Sequence, residues 1–366
     1  MIQYLDVRNM SRKQWLAYRE GGIGGSELCA SISGVLGDKG SKNSDPIKVH
    51  LNKIGEPVTD FKGNRLTKSG HYEEPSIAHL YEFWDHDNPD AEIMYDNEAI
   101  GKKLSHVRRV DCYITNDKWP WLFASLDRRI LRNRRSRRAI AHGRGILECK
   151  NTTSMEKNRY TYGVNPDFYY QVYLYLMLTG WEYCDIGIRF DGNNYEVITL
   201  EPRKEIFEFI EHHSAIFWKN VLECRKIKLE YGIESYYGMP DYMQEERQRE
   251  GIALLMSLEP ELRGTESEAK FIREIIKPTE EYTKMEGTQE LFEWAVHRYR
   301  ANAAMATHKE DLTKANNEII RLLSGTHEAI YELPEGGEGK ITYKPDSRGI
   351  SKIFVTAKMM KGKEDA

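Results

Sequence analysis

The chain of 366 residues is 40% hydrophobic and 11% aromatic, which excludes a disordered protein and allows a large buried core. Its net charge of −4 does not favour a polyanion when taken over the whole chain. No stretch approaches the roughly 18 apolar residues that span a bilayer, no signal-peptide pattern opens the sequence, and the five scattered cysteines show no metal-binding spacing, so a cytoplasmic protein with reduced thiols and no membrane is expected.

In chain order, Ser11 and Gln14 make a capping-box pattern for a helix bearing Trp15, Leu16 and Tyr18. That helix runs into Gly21, Gly22, Gly24 and Gly25, and Ser26 is placed to cap a second helix through Leu28, Ala30 and Ile32. A loop feeding a helix start is a natural anion site, although most such turns are structural. Asp45-Pro46 begins a short helix, and from Glu73 the spacing of Ile77, Leu80, Tyr81 and Trp84 predicts a long amphipathic one. Strand-like runs follow at 92–100, 105–115, 121–130 and 145–150. Asn165-Pro166 caps a helix that uses Tyr169, Val172, Tyr173, Leu176 and Met177 and stops at Gly180. Two strands, 183–190 and 195–200, make a hairpin, and a helix from Pro202 to about Lys226 closes the unit.

This order describes an α/β core, a mixed central sheet flanked by helices, over residues 1–228. Residues 229–366 read as a helical accessory region, with helices at 244–257, 266–276 and 288–323, ending in a small β unit at 329–333, 339–343 and 352–356.

Charge is concentrated where the strands lie. Between Gly101 and Lys150 there are fourteen Lys or Arg against four Asp or Glu, with Arg128, Arg129, Arg132, Arg134, Arg135, Arg137, Arg138 and Arg144 crowded together. A solvated hairpin would explain such a run alone, but carboxylates flank it. Asp127 ends one strand-like run, and Glu148 and Lys150 lie two apart on the next, so their side chains share a face. Phosphodiester cleavage needs a hard cation held by carboxylates and a group to orient the attacking water, and these three residues can supply both if the strands are neighbours.

A glycine-rich loop, a helical Glu, an Asp at a strand end, Glu-x-Lys on the next strand and a glutamine helix occur here in one order. In that order the sequence resembles the lambda-exonuclease-like, or YqaJ-type, viral recombinase nucleases of the PD-(D/E)xK superfamily, over about residues 11 to 225. The resemblance implies a restriction-endonuclease-like core with Glu74, Asp127, Glu148, Lys150 and Gln171 as catalytic residues. It implies one or two Mg²⁺ or Mn²⁺ ions on Asp127, Glu148 and the backbone carbonyl of Cys149, with Glu74 supporting directly or through water. Arg19, Ser26 and Ser125 match positions that hold a 5′-phosphate, and Gly70 to Pro75 matches a Gly-x-x-x-Glu element that selects Glu74 over Glu73. The Arg expected shortly after the Lys has no clear counterpart, since Glu156 stands near that place with Lys157 and Arg159 beside it.

The expected activity is digestion of linear double-stranded DNA from its 5′ ends, leaving a 3′ single strand for an annealing partner, with a ring-shaped homo-oligomer implied by the same resemblance. Arg128, Arg132, Arg134, Arg135, Arg137 and Arg138 are expected to grip the DNA backbone. An endonuclease or repair nuclease on the same core is the alternative, and a non-catalytic DNA-binding protein is a third reading, disfavoured by the intact Asp127, Glu148 and Lys150.

Overall fold

A computed structural model describes residues 1–41, 43–57, 65–133, 144–154, 164–237, 245–276, 289, 293, 296–302, 304–305, 308, 328–332, 337–345 and 351–359. The chain opens with β1 (Ile2–Asp6), α1 (Arg12–Glu20), β2 (Ile23–Gly24), α2 (Gly25–Ser31), α3 (Ser33–Leu36), α4 (Pro46–Lys53), α5 (Arg65–Tyr81) and α6 (Ala91–Ala99). Strands β3 (Ser105–Arg109), β4 (Cys112–Asn116), β5 (Leu122–Ser125), β6 (Arg128–Asn133) and β7 (Gly145–Thr152) follow. Next come α7 (Pro166–Thr179), β8 (Tyr183–Phe190), β9 (Asn194–Leu200), α8 (Lys204–Tyr231), α9 (Glu246–Ser257) and α10 (Glu266–Ile275).

Two mixed sheets carry the fold. One has the order β1-β4-β5-β2, and the other the order β3-β6-β7-β8-β9. The runs expected as single strands at 105–115 and 121–130 each break in two, because β3 pairs with β6 in the second sheet while β4 pairs with β5 in the first. Both chain segments therefore cross from one sheet to the other. Asp127 stands at one crossing, where its carbonyl accepts from the Val110 N–H at 3.4 Å. Strands β7 and β8 run parallel in register from Gly145↔Tyr183 to Thr152↔Phe190, with α7 between them in sequence.

Alternation along β7 separates two cores. Ile146 joins the larger cluster with α7 and α8 (Val172, Leu176, Phe217, Val221), while Leu147 joins a smaller one with α5 (Ile77, Tyr81) and β9 (Tyr195). Gly180 ends α7 in the left-handed conformation with φ of 63°, as expected from its position.

Two expectations are corrected. Residues 92–100 form helix α6, not a strand: Asp90 caps it by accepting from the Glu92 N–H at 2.7 Å, and Met94 and Asn97, three apart, are the buried positions. A short run such as Ile93-Met94-Tyr95 fits a strand or a helix equally well, so the local pattern does not separate the two. Helix α5 begins at Arg65 and not at Glu73, so Pro75 lies inside it, and Trp84 packs beyond its end.

By its contacts the chain divides into Met1–Pro278 and Thr279–Ala366, whereas the sequence placed the boundary after residue 228. Helices α9 and α10 belong with the first unit because they pack on it. Leu255 and Phe271 are buried, and Arg263 donates to the Ser41 carbonyl at 3.1 Å. In the second unit β10 (Glu328–Glu332), β11 (Gly337–Pro345) and β12 (Ser351–Met359) form an antiparallel meander, while the helix expected at 288–323 falls mostly outside the described residues. No helix among the described residues is long and apolar enough to cross a membrane.

Candidate active site

The face of β7 that carries Ile146 also carries Glu148 and Lys150, and α7 lays Gln171 across it. The Lys150 ammonium donates to Glu148 Oε1 at 2.7 Å and to Gln171 Oε1 at 3.0 Å. Gln171 Nε2 in turn donates to the same Glu148 oxygen at 2.7 Å and to the Tyr175 hydroxyl at 2.6 Å. Lys150 also lies 4.7 Å from the centre of the Phe168 ring. These bonds fix the position of each group relative to the others.

Asp127 reaches this site from the sheet crossing. Its Oδ2 accepts from the Cys149 N–H at 2.9 Å, which ties it to the β7 backbone between Glu148 and Lys150. The structure thus brings Asp127, Glu148, Lys150 and Gln171 together. Glu74 approaches from α5, but its carboxylate is taken by Arg128, whose Nη1 also donates to the Asp127 carbonyl at 2.8 Å. Glu73 points elsewhere, to Arg189 at 2.8 Å.

Electrostatics make the pair of acids reactive toward cations. Burial, reinforced by the nearby Asp127 carboxylate and opposed by Lys150, pushes Glu148 from 4.5 up to about 8. Burial likewise raises Asp127, against the pull of Lys150. Burial opposes the charge on Lys150, yet Glu148 and Asp127 outweigh it and its pKa is raised. One oxygen, Glu148 Oε2, is buried with no hydrogen-bond partner. Such an orphan is costly, and an oxygen-seeking divalent cation beside Asp127 would satisfy it. The residues present therefore fit a hard metal. Among the described residues no three His, Cys, Asp or Glu side chains form a ready-made cage, and Glu74 is held by Arg128.

A second cluster surrounds the glycine turn. Arg19 Nη2 lies 3.4 Å from Ser26 Oγ and 3.4 Å from Glu27 Oε1, and its guanidinium sits over Trp15 at 4.8 Å and Phe123 at 5.7 Å. Lys53 is buried beneath, donating to the Arg19 carbonyl at 2.6 Å and to Glu27 Oε2 at 2.9 Å. Although burial acts the other way, Lys53 and Arg19 hold the Glu27 carboxyl below the usual range. Ser125, exposed, shares a face of β5 with Phe123 and so lies on the Arg19 side. The two clusters touch. A Cβ on Gly25 would stand 2.9 Å from the Gln171 side chain and 2.7 Å from the Tyr175 ring, so only glycine lets the turn approach α7 this closely.

The expectation for Arg128 is corrected: at 8% exposure it faces inward to Glu74 and is not available as a backbone grip. Arg132 has its backbone in β6, and Arg134, Arg135, Arg137 and Arg138 lie outside the described residues, as do Glu156, Lys157 and Arg159. Sequence reading missed Tyr175, Glu27 and Lys53. Tyr175, one helical turn after Gln171, was legible from its i, i+4 spacing, whereas Lys53 is brought in only by tertiary packing.

Residues 14–182 match the family model of the YqaJ-like viral recombinase domain, a span that contains the site residues from Arg19 to Tyr175. The chain is 27% identical over 214 residues to the uncharacterized protein YqaJ of Bacillus subtilis strain 168, covering 58% of this chain and 56% of that protein's length. The chain also has a distant likeness to the alkaline exonuclease LHK-Exo of Laribacter hongkongensis, seen free and with dAMP, at 16% identity and a TM-score of 0.43 over 60% of this chain. The free and dAMP-bound structures are covered over 97% and 98% of their chains.

Proposed function

We propose that this protein is a metal-dependent deoxyribonuclease that digests linear double-stranded DNA from its 5′ ends. The observation that carries the reading is the buried, unpartnered Oε2 of Glu148 beside Asp127, Lys150 and Gln171. The recombinase name of the family model matched by residues 14–182 agrees with it.

Asp127, Glu148 and the Cys149 carbonyl would hold Mg²⁺ or Mn²⁺, one or two ions, with Glu74 joining directly or through water. The bound metal supplies Lewis-acid charge to the phosphoryl oxygens and lowers the pKa of an attacking water. Lys150, held between Glu148 and Gln171, orients that water and stabilises negative charge as it develops. Gln171 keeps Lys150 and Glu148 in register through its two ends, and Tyr175 fixes the Gln171 rotamer. Arg19, Ser26 and Ser125 would receive a terminal 5′-phosphate, which makes sense only for end-directed digestion. The product would be a 3′ single strand for an annealing protein, and a ring-shaped homo-oligomer would suit processive digestion.

The test uses Mg²⁺ with linear duplex bearing or lacking a 5′-phosphate, a closed circle, and an Asp127→Ala control. Digestion from the phosphorylated 5′ end, with circles spared and the variant inert, supports the reading. Cutting of circles would replace it with an endonuclease, and inactivity with every divalent metal would leave a DNA-binding protein.

A further inference from the structure

Helix α7 turns one stripe of side chains toward the catalytic strand. Phe168, Gln171 and Tyr175 stand at i, i+3 and i+7, so they lie one above another on the same side of the helix. Glu148 and Lys150 stand two apart on the facing side of β7. The two rows mesh. Tyr175 meets Gln171 at 2.6 Å, Gln171 bridges Glu148 and Lys150 at 2.7 and 3.0 Å, and the Phe168 ring lies against the Lys150 ammonium with its centre 4.7 Å away. Capping fixes the first member of the stripe. Asn165 accepts from the Asp167 N–H at 2.8 Å and Pro166 opens the helix, which sets Phe168 in the first turn, half-buried against the large core.

A cation beside the first turn of a helix is poorly placed, because the macrodipole is positive there. Asp167, the acid of that turn, accepts from Asn43 Nδ2 at 2.9 Å. Glu148 and Gln171 draw the ammonium with two hydrogen bonds, but Glu148 is also the carboxylate whose second oxygen fits a metal, so its charge is shared once an ion is bound. An aromatic face attracts the ammonium through its quadrupole and competes with no metal for that charge. It also uses none of the N–H groups as a fixed hydrogen bond. Lys150 has three of them, and two go to Glu148 and Gln171. The ring therefore steadies the ammonium and leaves its third N–H for the attacking water or a phosphoryl oxygen.

We propose that Phe168 is a positioning residue for the nuclease reaction, a cation–π partner that holds the Lys150 ammonium in line with Glu148 and Gln171 while the phosphodiester is cleaved. The proposal rests on the nuclease reading, since it takes the role of Lys150 from there. It concerns the electrons of the ring and not only its bulk, which separates it from a packing role.

The experiment replaces Phe168 with mono-, di- and trifluorinated phenylalanine, which drain the ring face at nearly constant shape, and with cyclohexylalanine, which keeps the bulk and has no π face. Steady-state cleavage of a linear duplex with Mg²⁺ is measured beside thermal unfolding. The ε-methylene proton resonances of Lys150, identified by their loss in Lys150→Arg, are recorded in metal-free protein without DNA. Positioning by the ring predicts kcat falling stepwise with fluorination, roughly 3- to 30-fold for the trifluorinated and cyclohexyl proteins, with KM and melting temperature nearly unchanged. It also predicts ε-methylene protons shifted upfield by the ring in wild type and returned toward their ordinary position in the cyclohexyl protein. Equal kcat across the fluorinated series would overturn the proposal even if the cyclohexyl protein were slow, since a packing role depends on shape alone. Unshifted ε-methylene protons in wild type would overturn it as well. If wild type failed to cleave DNA, the nuclease reading would fall, and the resonances would still decide whether the ring holds the ammonium.

Discussion

The Lys150 ammonium stands 2.7 Å from Glu148 Oε1, with only 17% and 3% of the two side chains exposed. Breaking a buried pair by removing one partner costs about 3–5 kcal/mol, because the other charge is left stranded. Lys150→Met is therefore expected to abolish cleavage and to lower unfolding stability by about 3 kcal/mol near pH 9. Near pH 6 the loss shrinks, because Glu148, already pushed up to about 8, takes a proton and needs no partner. Urea unfolding at the two pH values measures this directly. Equal losses at both would show that Glu148 is not the group left stranded.

Glu148 also predicts how metal and pH interact. Its carboxyl is raised from 4.5 to about 8 by burial and by Asp127, so the folded state holds a proton that the unfolded chain releases. That contribution to stability is fully present below about pH 4.5 and is lost as pH rises through about 8. A cation at the orphaned Oε2 replaces the proton. The rise in melting temperature caused by Mg²⁺ should accordingly be larger near pH 9 than near pH 6, and Glu148→Gln should remove the difference. If Mg²⁺ shifted both proteins equally at both pH values, the ion would be binding elsewhere.

Much of this site could be read from the sequence because it depends on short-range rules. Glu148 and Lys150 share a face through strand alternation, and Asn165-Pro166 and Gly180 set the limits of α7 and hence the phase of Gln171. What could not be read depends on long-range packing. The strands at 105–115 and 121–130 looked continuous because no glycine or proline marks the points where they change sheets. The inward turn of Arg128 depends on Glu74, 54 residues earlier in the chain. Lys53 reaches Arg19 across 34 residues, a contact that no local pattern announces.

Arg19 gives a prediction about the DNA end. Its guanidinium is held by Glu27, Ser26, Trp15 and Phe123, so a phosphate meets a preorganised donor. A hydrogen bond to a charged group is worth about 1.5–3 kcal/mol, roughly 10- to 100-fold. Arg19→Met should raise KM for 5′-phosphorylated duplex by about that factor, leave kcat nearly unchanged, and leave 5′-hydroxyl duplex as it was. Steady-state kinetics on the two substrates decides the matter, and equal loss on both would mean that Arg19 does not read the terminal phosphate.

His50 sets the acid limit of stability. It is fully buried on α4, 3.7 Å from Cys224 Sγ and edge-on to Phe217, and its Nδ1 has no hydrogen-bond partner. Burial lowers its pKa from 6.5 to about 4, so the fold requires the neutral ring. The stability tied to that neutrality is fully present above about pH 6.5 and is lost as pH falls toward about 4, up to about 3 kcal/mol. His50→Met keeps an apolar group of similar reach but cannot titrate. Its unfolding free energy should fall less between about pH 6.5 and pH 4 than that of wild type, whatever its offset at neutral pH. Denaturant curves across that range measure the slope, and parallel slopes for the two proteins would show that His50 is accommodated as a cation.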